Sequence, residues 1–95
     1  MEELKKKMLP VLKKHGVIRA GLFGSVVRED FSSKSDVDVL VEPATDASIL
    51  DVIGIQLELE QELGRKVDLV QYKGIHPRLK QYILSEEVRI YDKTA

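Results

Sequence analysis

The chain has 95 residues and no cysteine; 43% of its residues are hydrophobic, 33% are charged and the net charge is −1. This length fits one small domain, and we expect residues 1–95 to form it. The near-neutral charge argues against direct binding of nucleic acid, and the lack of cysteine excludes disulfides and thiolate metal sites. With no apolar run of about 18 residues and no signal-peptide core, we expect a cytoplasmic protein that does not cross a membrane.

Predicted helices and strands alternate along the chain. Apolar residues at helical spacing predict the first helix, in which Pro10 should produce a kink or a restart. The predicted elements are a helix over 2–15, a strand over 17–23, one or two helical turns within 26–30, a strand over 36–42, a helix over 48–63, a strand over 66–71, a helix over 78–86 and a strand over 88–92. This order predicts an α/β or α+β domain, with helices packed on one sheet.

Two aspartates interrupt the second predicted strand. Side chains at i and i+2 of a strand point the same way about 6.5 to 7 Å apart, so Asp36 and Asp38 should share a face. Like charges this close need a cation between them, and Mg²⁺ is the usual choice for carboxylates. On the next predicted strand, Asp68 lies on the face opposite Val67 and Leu69. If the two strands are neighbours, three carboxylates could hold two metal ions, or one metal ion and a general base; otherwise they simply face solvent.

A Gly-Ser pair follows the first predicted strand. Gly24 would let a ligand approach the backbone, while Ser25 and the first free N–H groups of a helix suit phosphate. Arg28 could add charge against a phosphate or tie down the acidic strand. A triphosphate at this turn, with Mg²⁺ on the aspartates and Asp68 beside an incoming hydroxyl, would support phosphoryl or nucleotidyl transfer.

The stretch GSVVRED, four further residues and then SDVD resembles the signature of the nucleotidyltransferase superfamily that includes DNA polymerase beta. Within it, the pattern is most similar to that of the minimal nucleotidyltransferases, or MntA-like proteins: GSxARG, then SDxD, then an Asp on a later strand. Val27 replaces the usual Ala and Glu29 the usual Gly, which adds a negative charge near the phosphates. Neither change removes a catalytic group.

The resemblance implies a palm-like fold, in which helices flank a small mixed sheet. It also implies ATP as substrate and Mg²⁺, with two ions, as cofactor. The nucleotide-binding residues would be Gly24, Ser25, Arg28 and Ser35. The catalytic and metal-binding residues would be Asp36, Asp38 and Asp68, with Asp68 also the base.

The same resemblance implies a protein partner. Stand-alone minimal nucleotidyltransferases are typically paired with a HEPN-domain ribonuclease toxin, to which they transfer AMP from ATP, on a tyrosine, as the antitoxin of a hetero-oligomeric pair. Two alternatives stay open at this point. One is a small-molecule nucleotidyltransferase subunit whose acceptor site comes from another protein, and the other is a nucleotide-binding module without catalysis.

The helix predicted over 48–63 has more apolar surface than one sheet face needs. Leu50 and Leu57 lie on one edge of its apolar side, and Ile55 and Leu59 lie on the other. The excess is either a surface for a partner or is covered by neighbouring helices.

Overall fold

The computed structural model describes residues 2–27 and 36–94. Within them the chain forms three α-helices and four strands: α1, Glu2–Lys14; β1, Arg19–Phe23; β2, Val37–Glu42; α2, Ile49–Leu63; β3, Val67–Gln71; α3, Pro77–Glu86; and β4, Val88–Asp92. Short 3₁₀ turns, Gly24–Val27 and Tyr72–Gly74, follow β1 and β3. The predicted order is confirmed. The helical turns predicted within 26–30 begin earlier, at Gly24, and residues 28–30 lie outside the described ranges.

The four strands form a mixed sheet in the order β3-β2-β1-β4. β1 is antiparallel to β2 and to β4, whereas β2 and β3 are parallel. Parallel neighbours need a long crossover, because the chain must return to the same end of the sheet, and α2 provides it. The predicted fold class, a small mixed sheet flanked by helices, is confirmed.

The main hydrophobic core lies between one face of this sheet and two helices. Val37, Val39 and Val41 alternate along β2 and are fully buried there, as strand periodicity predicts. The helical side chains buried in the same cluster are Met8, Val11 and Leu12 of α1 and Ile55, Leu59 and Leu63 of α2.

Helix α1 runs through Pro10 as one element, so of the two predicted outcomes, a kink or a restart, the restart does not occur. A proline inside a helix costs about 3 kcal/mol, because it removes one hydrogen bond and crowds the preceding turn. Burial of an apolar side chain such as Met8 contributes about 1.5 to 3 kcal/mol, and Val11 and Leu12 are buried beside it. Core packing on both sides of Pro10 therefore outweighs the local cost.

Helix α2 has both of its predicted ends. The Ser48 side chain accepts a hydrogen bond from the Asp51 N–H at 3.2 Å, and the Asp51 carboxylate accepts one from the Ser48 N–H at 2.8 Å, which completes a capping box. Gly64 ends the helix with a φ of 65°. These ends fix where β3 starts, and hence its register against β2.

The second face of the sheet has buried residues at its centre and polar residues around them. Leu40 of β2 is fully buried although it points away from the main core, and Ile75 is also buried. Asp38 lies two residues before Leu40, so it shares this face near the start of β2. None of the helices in the described part of the chain has the length and apolar character that a membrane span requires.

Candidate functional site

The turn after β1 brings its backbone against the side chain of Asp38. Gly24 has a φ of 73°, in the left-handed region, and Phe23 just before it is the register partner of Asp38. A Cβ at position 24 would lie 2.1 Å from Asp38 Oδ2. Glycine is therefore required here for two reasons: the backbone conformation and the space that the carboxylate occupies.

Two of the predicted acids lie on neighbouring strands. Asp38 of β2 and Asp68 of β3 are register partners in the parallel pair, so their side chains leave the same face of the sheet. Neighbouring strands lie about 4.8 Å apart, which places the two Cα atoms close together. Asp38 is half-buried and Asp68 is exposed. One carboxylate thus lies against the Gly24 turn while the other faces solvent.

Asp36 immediately precedes β2 and is exposed. Within residues 2–27 and 36–94, no three acidic, histidine or cysteine side chains gather closely enough to bind a metal by themselves. The donor chemistry nonetheless fits Mg²⁺, because this ion is usually bound by one or two carboxylates together with waters and substrate phosphates. Asp36, Asp38 and Asp68 therefore remain the predicted metal-binding set.

The other predicted nucleotide contacts are only partly visible. Ser25 is half-buried in the 3₁₀ turn, and Val26 next to it is buried in the main core, which anchors the turn. Arg28 and Ser35 fall in residues 28–35, outside the described residues. Their predicted contacts with a nucleotide stay predictions.

A polar cluster on the same face was not predicted. The Tyr72 hydroxyl donates to the Glu87 carboxylate, and Arg89 donates to it through Nε at 3.0 Å and Nη2 at 3.2 Å. The Glu87 side chain is only 6% exposed and covers Gly21, where a Cβ would lie 2.1 Å from Glu87 Oε2. Burial, followed by this hydrogen bond, raises the pKa of Tyr72 above its usual value.

This cluster joins the start of β4 to the turn after β3. Gly21 pairs with Leu40, so the cluster lies two residue pairs along the sheet from the Phe23–Asp38 pair. No local sequence pattern predicts this cluster, because Tyr72 and Glu87 are distant in the chain and come into contact only through the pairing of β4 with β1.

Family comparison supports the resemblance seen in the sequence. Residues 6–95 match the model of the family described as polymerase beta, nucleotidyltransferase. The chain is 46% identical over 90 residues to a Methanocaldococcus jannaschii protein assigned provisionally as a protein adenylyltransferase, covering 95% of this chain and 97% of that one. It is 36% identical over 78 residues to the protein adenylyltransferase MntA of Thermococcus cleftensis, covering 82% of this chain and 79% of that one.

Solved structures share the fold. One, described provisionally as a minimal nucleotidyltransferase, superposes with a TM-score of 0.79 at 34% identity, over 92% of this chain and 89% of that chain. A chain in the complex of a tri-AMPylated HEPN toxin with its MNT antitoxin, from Shewanella oneidensis, gives a TM-score of 0.74 over 98% of this chain and 73% of that chain. At 19% identity, this comparison shows a shared fold and nothing more.

Proposed function

This chain belongs to the polymerase beta nucleotidyltransferase family as a minimal nucleotidyltransferase, and from that membership we propose that it transfers AMP from ATP to a hydroxyl group on a protein partner. The observation that carries the proposal is the pairing of Asp38 with Asp68 beside the Gly24 turn. A turn that can accept phosphates next to two carboxylates suits nucleotidyl transfer, where positioning and charge stabilisation supply most of the catalysis.

The proposed roles follow from the positions of the side chains. The acceptor hydroxyl gives its proton to Asp68, its oxygen forms a bond to the α-phosphorus of ATP, and pyrophosphate leaves. Gly24 and Ser25 hold the phosphates, with Arg28 and Ser35 as further predicted contacts. Asp36 and Asp38 would hold Mg²⁺, in two ions when Asp68 also takes part, and bound Mg²⁺ supplies neutralisation of phosphate charge.

A protein acceptor is favoured by the relatives. The relatives that the chain matches over most of its length are named protein adenylyltransferases. The structural neighbour from Shewanella oneidensis is in a complex with an AMP-modified HEPN toxin. We therefore propose that the partner here is a HEPN-type toxin modified on a tyrosine, that the two proteins form a hetero-oligomer in which this chain is the antitoxin, and that the reaction takes place in the cytoplasm.

Transfer can be measured with a purified HEPN-domain protein as the candidate acceptor, ATP labelled at the α-phosphate, and Mg²⁺. Label should enter the HEPN-domain protein, and intact-mass analysis should show added AMP. Asp36→Asn, Asp38→Asn and Asp68→Asn should each reduce labelling about 100-fold or more. The matched control is Asp46→Asn, because Asp46 is an exposed aspartate in the turn before α2, beyond the opposite end of β2.

Labelling that survives Asp38→Asn or Asp68→Asn would contradict the assignment of the site. Label that appears only on an added small molecule would favour the alternative of a small-molecule nucleotidyltransferase subunit. Binding of ATP without release of pyrophosphate to any acceptor would favour a nucleotide-binding module.

A further inference from the structure

Helix α2 contacts its surroundings through polar side chains as well as apolar ones. Ile55 and Leu59 are buried in the core, whereas Leu50 and Leu57 are 77% and 59% exposed. The other helices in the described part of the chain therefore leave the excess apolar surface of α2 open. Between the buried and the exposed edge lie half-buried polar side chains, and these contact the backbone of β3.

Two of these polar side chains reach the first residue of β3. Gln56 Nε2 donates a hydrogen bond to the Val67 carbonyl at 3.1 Å, and the Glu60 carboxylate accepts one from the Val67 N–H at 3.0 Å. Gln56 and Glu60 lie one turn apart on the same side of α2. Val67 is fully buried, so water competes little for either bond.

These two bonds close the free edge of the sheet at its most vulnerable point. β3 is an outer strand of the sheet, and Val67 is its first residue. The outward N–H and C=O groups of an edge strand ordinarily have water as partner, and the ends of such a strand open readily. At Val67 the side chains of α2 take the place of water. The strand is therefore fixed immediately before Asp68.

The two peptide groups that precede Asp68 are held from outside the strand. The group that joins Lys66 to Val67 accepts a hydrogen bond from the backbone of β2 at 2.9 Å and donates one to Glu60. The group that joins Val67 to Asp68 accepts the bond from Gln56. Because a peptide group is planar, fixing its C=O also fixes the plane that carries the next Cα. The direction in which the Asp68 side chain leaves the strand is thus set by α2 as well as by β2.

Asp68 depends on its backbone for position more than Asp38 does. Asp38 lies on an inner strand with its carboxylate against the Gly24 turn, whereas Asp68 is exposed on the outer strand. A general base must lie within hydrogen-bond reach of the proton that it takes. A displacement of about 1 Å can lower the rate of a reaction about 100-fold. Support of the backbone beside Asp68 is therefore expected to affect catalysis.

We propose that Gln56 and Glu60 are positioning residues for AMP transfer, which hold the backbone before Asp68 so that its carboxylate stays beside Asp38. This inference rests on the proposed function, since it takes Asp68 to act in the transfer. Gln56 and Glu60 act through Asp68 and take no part in the chemical step. Helix α2 then has a second task besides the crossover, which is to support the outer carboxylate of the site.

The support can be measured on the metal-free full chain by amide hydrogen exchange, without any transfer. Glu60→Met removes the acceptor of the Val67 N–H, whereas Glu60→Gln keeps an acceptor oxygen there. Exchange of the Val67 and Asp68 N–H groups should rise about tenfold or more in Glu60→Met and stay within about threefold in Glu60→Gln. Gln56→Met should also raise exchange at Asp68. The matched control is Glu62→Met, which changes an exposed glutamate of the same helix.

The transfer assay separates positioning from a general structural role. Gln56→Met and Glu60→Met should each lower kcat about tenfold or more, while the KM for ATP stays within about twofold. Glu60→Gln should recover most of the rate, and the controls Gln61→Met and Glu62→Met, both at exposed positions of α2, should match the parent chain. In a chain that already carries Asp68→Asn, neither substitution should lower the residual rate further, because the carboxylate that they position is gone.

Each outcome decides the inference. Exchange at Asp68 that is the same in Gln56→Met, Glu60→Met and Glu62→Met would overturn it, and so would an unchanged kcat. An equal further loss of rate in the Asp68→Asn chain would also overturn it, because a general structural role lowers the rate of every chain alike. If Glu60→Met fails to fold by circular dichroism, Gln56→Met decides by the same measurements.

Failure of the proposed function has a different signature. A parent chain that transfers no AMP, together with the expected pattern of amide exchange, would refute the proposed function. The support of Asp68 by α2 would stand in that case, because the exchange measurement involves neither ATP nor an acceptor.

Discussion

Gly24 couples the backbone of the turn to the position of one carboxylate. Its positive φ makes any L side chain unfavourable by about 1 to 2 kcal/mol. Its close approach to Asp38 adds a second constraint, because a Cβ there would displace the carboxylate from the face that it shares with Asp68. The two effects can be separated, because other glycines of the chain have the same φ without the same neighbour.

Gly24→Ala should abolish AMP transfer, whereas Gly64→Ala should preserve it. Gly64 has a φ of 65° and no atom within 4 Å of a Cβ, so both variants carry the same backbone cost of about 1 to 2 kcal/mol. Denaturant unfolding measures that cost in each, and the transfer assay measures activity. Equal activity in the two variants would show that Asp38 does not depend on the space at Gly24.

Tyr72 should ionise only at a pH well above the ordinary range of a tyrosine. Burial and the hydrogen bond to Glu87 raise its pKa above the ordinary value of 10.0. A raised folded-state pKa means that this contribution to stability is fully present below pH 10 and is lost as the pH rises through the folded value. Absorbance titration of phenolate should show one high-pH step that Tyr72→Phe removes, with circular dichroism following the fold. A high-pH step that persists in Tyr72→Phe would contradict the cluster with Glu87.

At the scale of elements, three local sequence features determine where α2 begins, where it ends and which side it buries. Its capping box sets the start, Gly64 sets the end, and the helix between them buries one edge in the core. Because α2 is also the crossover between the two parallel strands, its position helps to determine which residue of β3 pairs with Asp38. A weakened helix start should therefore reduce stability.

Ser48→Ala should destabilise the protein by about 1 kcal/mol at pH 7, because it removes the side-chain half of the capping box. Ser85→Ala is the control, since the Ser85 hydroxyl donates to a carbonyl within α3 and caps no helix start. Hydrogen bonds from the Ser48 backbone and then from its side chain lower the pKa of Asp51. A lowered pKa gives stability that is present above the unfolded value, near 3.8, and is lost below it.

Asp51→Asn should therefore make the loss of stability in acid less steep, while Glu58 and Asp92, whose pKa values are also lowered, continue to contribute. Thermal melting between pH 7 and pH 3 measures both effects. An acid response unchanged by Asp51→Asn, or a Ser48→Ala variant as stable as Ser85→Ala, would show that the capping box contributes little.

At the scale of the whole molecule, local patterns could be predicted and long-range ones could not. Strand alternation and the capping residues identified β2, β3 and α2. The sequence left open whether the two strands are neighbours, and their parallel pairing in the structure brings Asp68 beside Asp38. The Glu87 cluster depends on β4 pairing with β1, which no local pattern specifies. At Pro10 the predicted helix continues, because burial of the side chains on both sides outweighs the local cost of the proline.

The pairing of β4 with β1 has a consequence for synthesis of the chain. Arg19 is the register partner of Asp92, so an early strand lacks one of its two neighbours until almost the whole sequence has been translated. Pairing between such distant segments carries a large loop-closure entropy and is slow. A growing polypeptide would therefore leave the ribosome with an open strand edge, and truncation before residue 88 should give a product that aggregates or recruits chaperones.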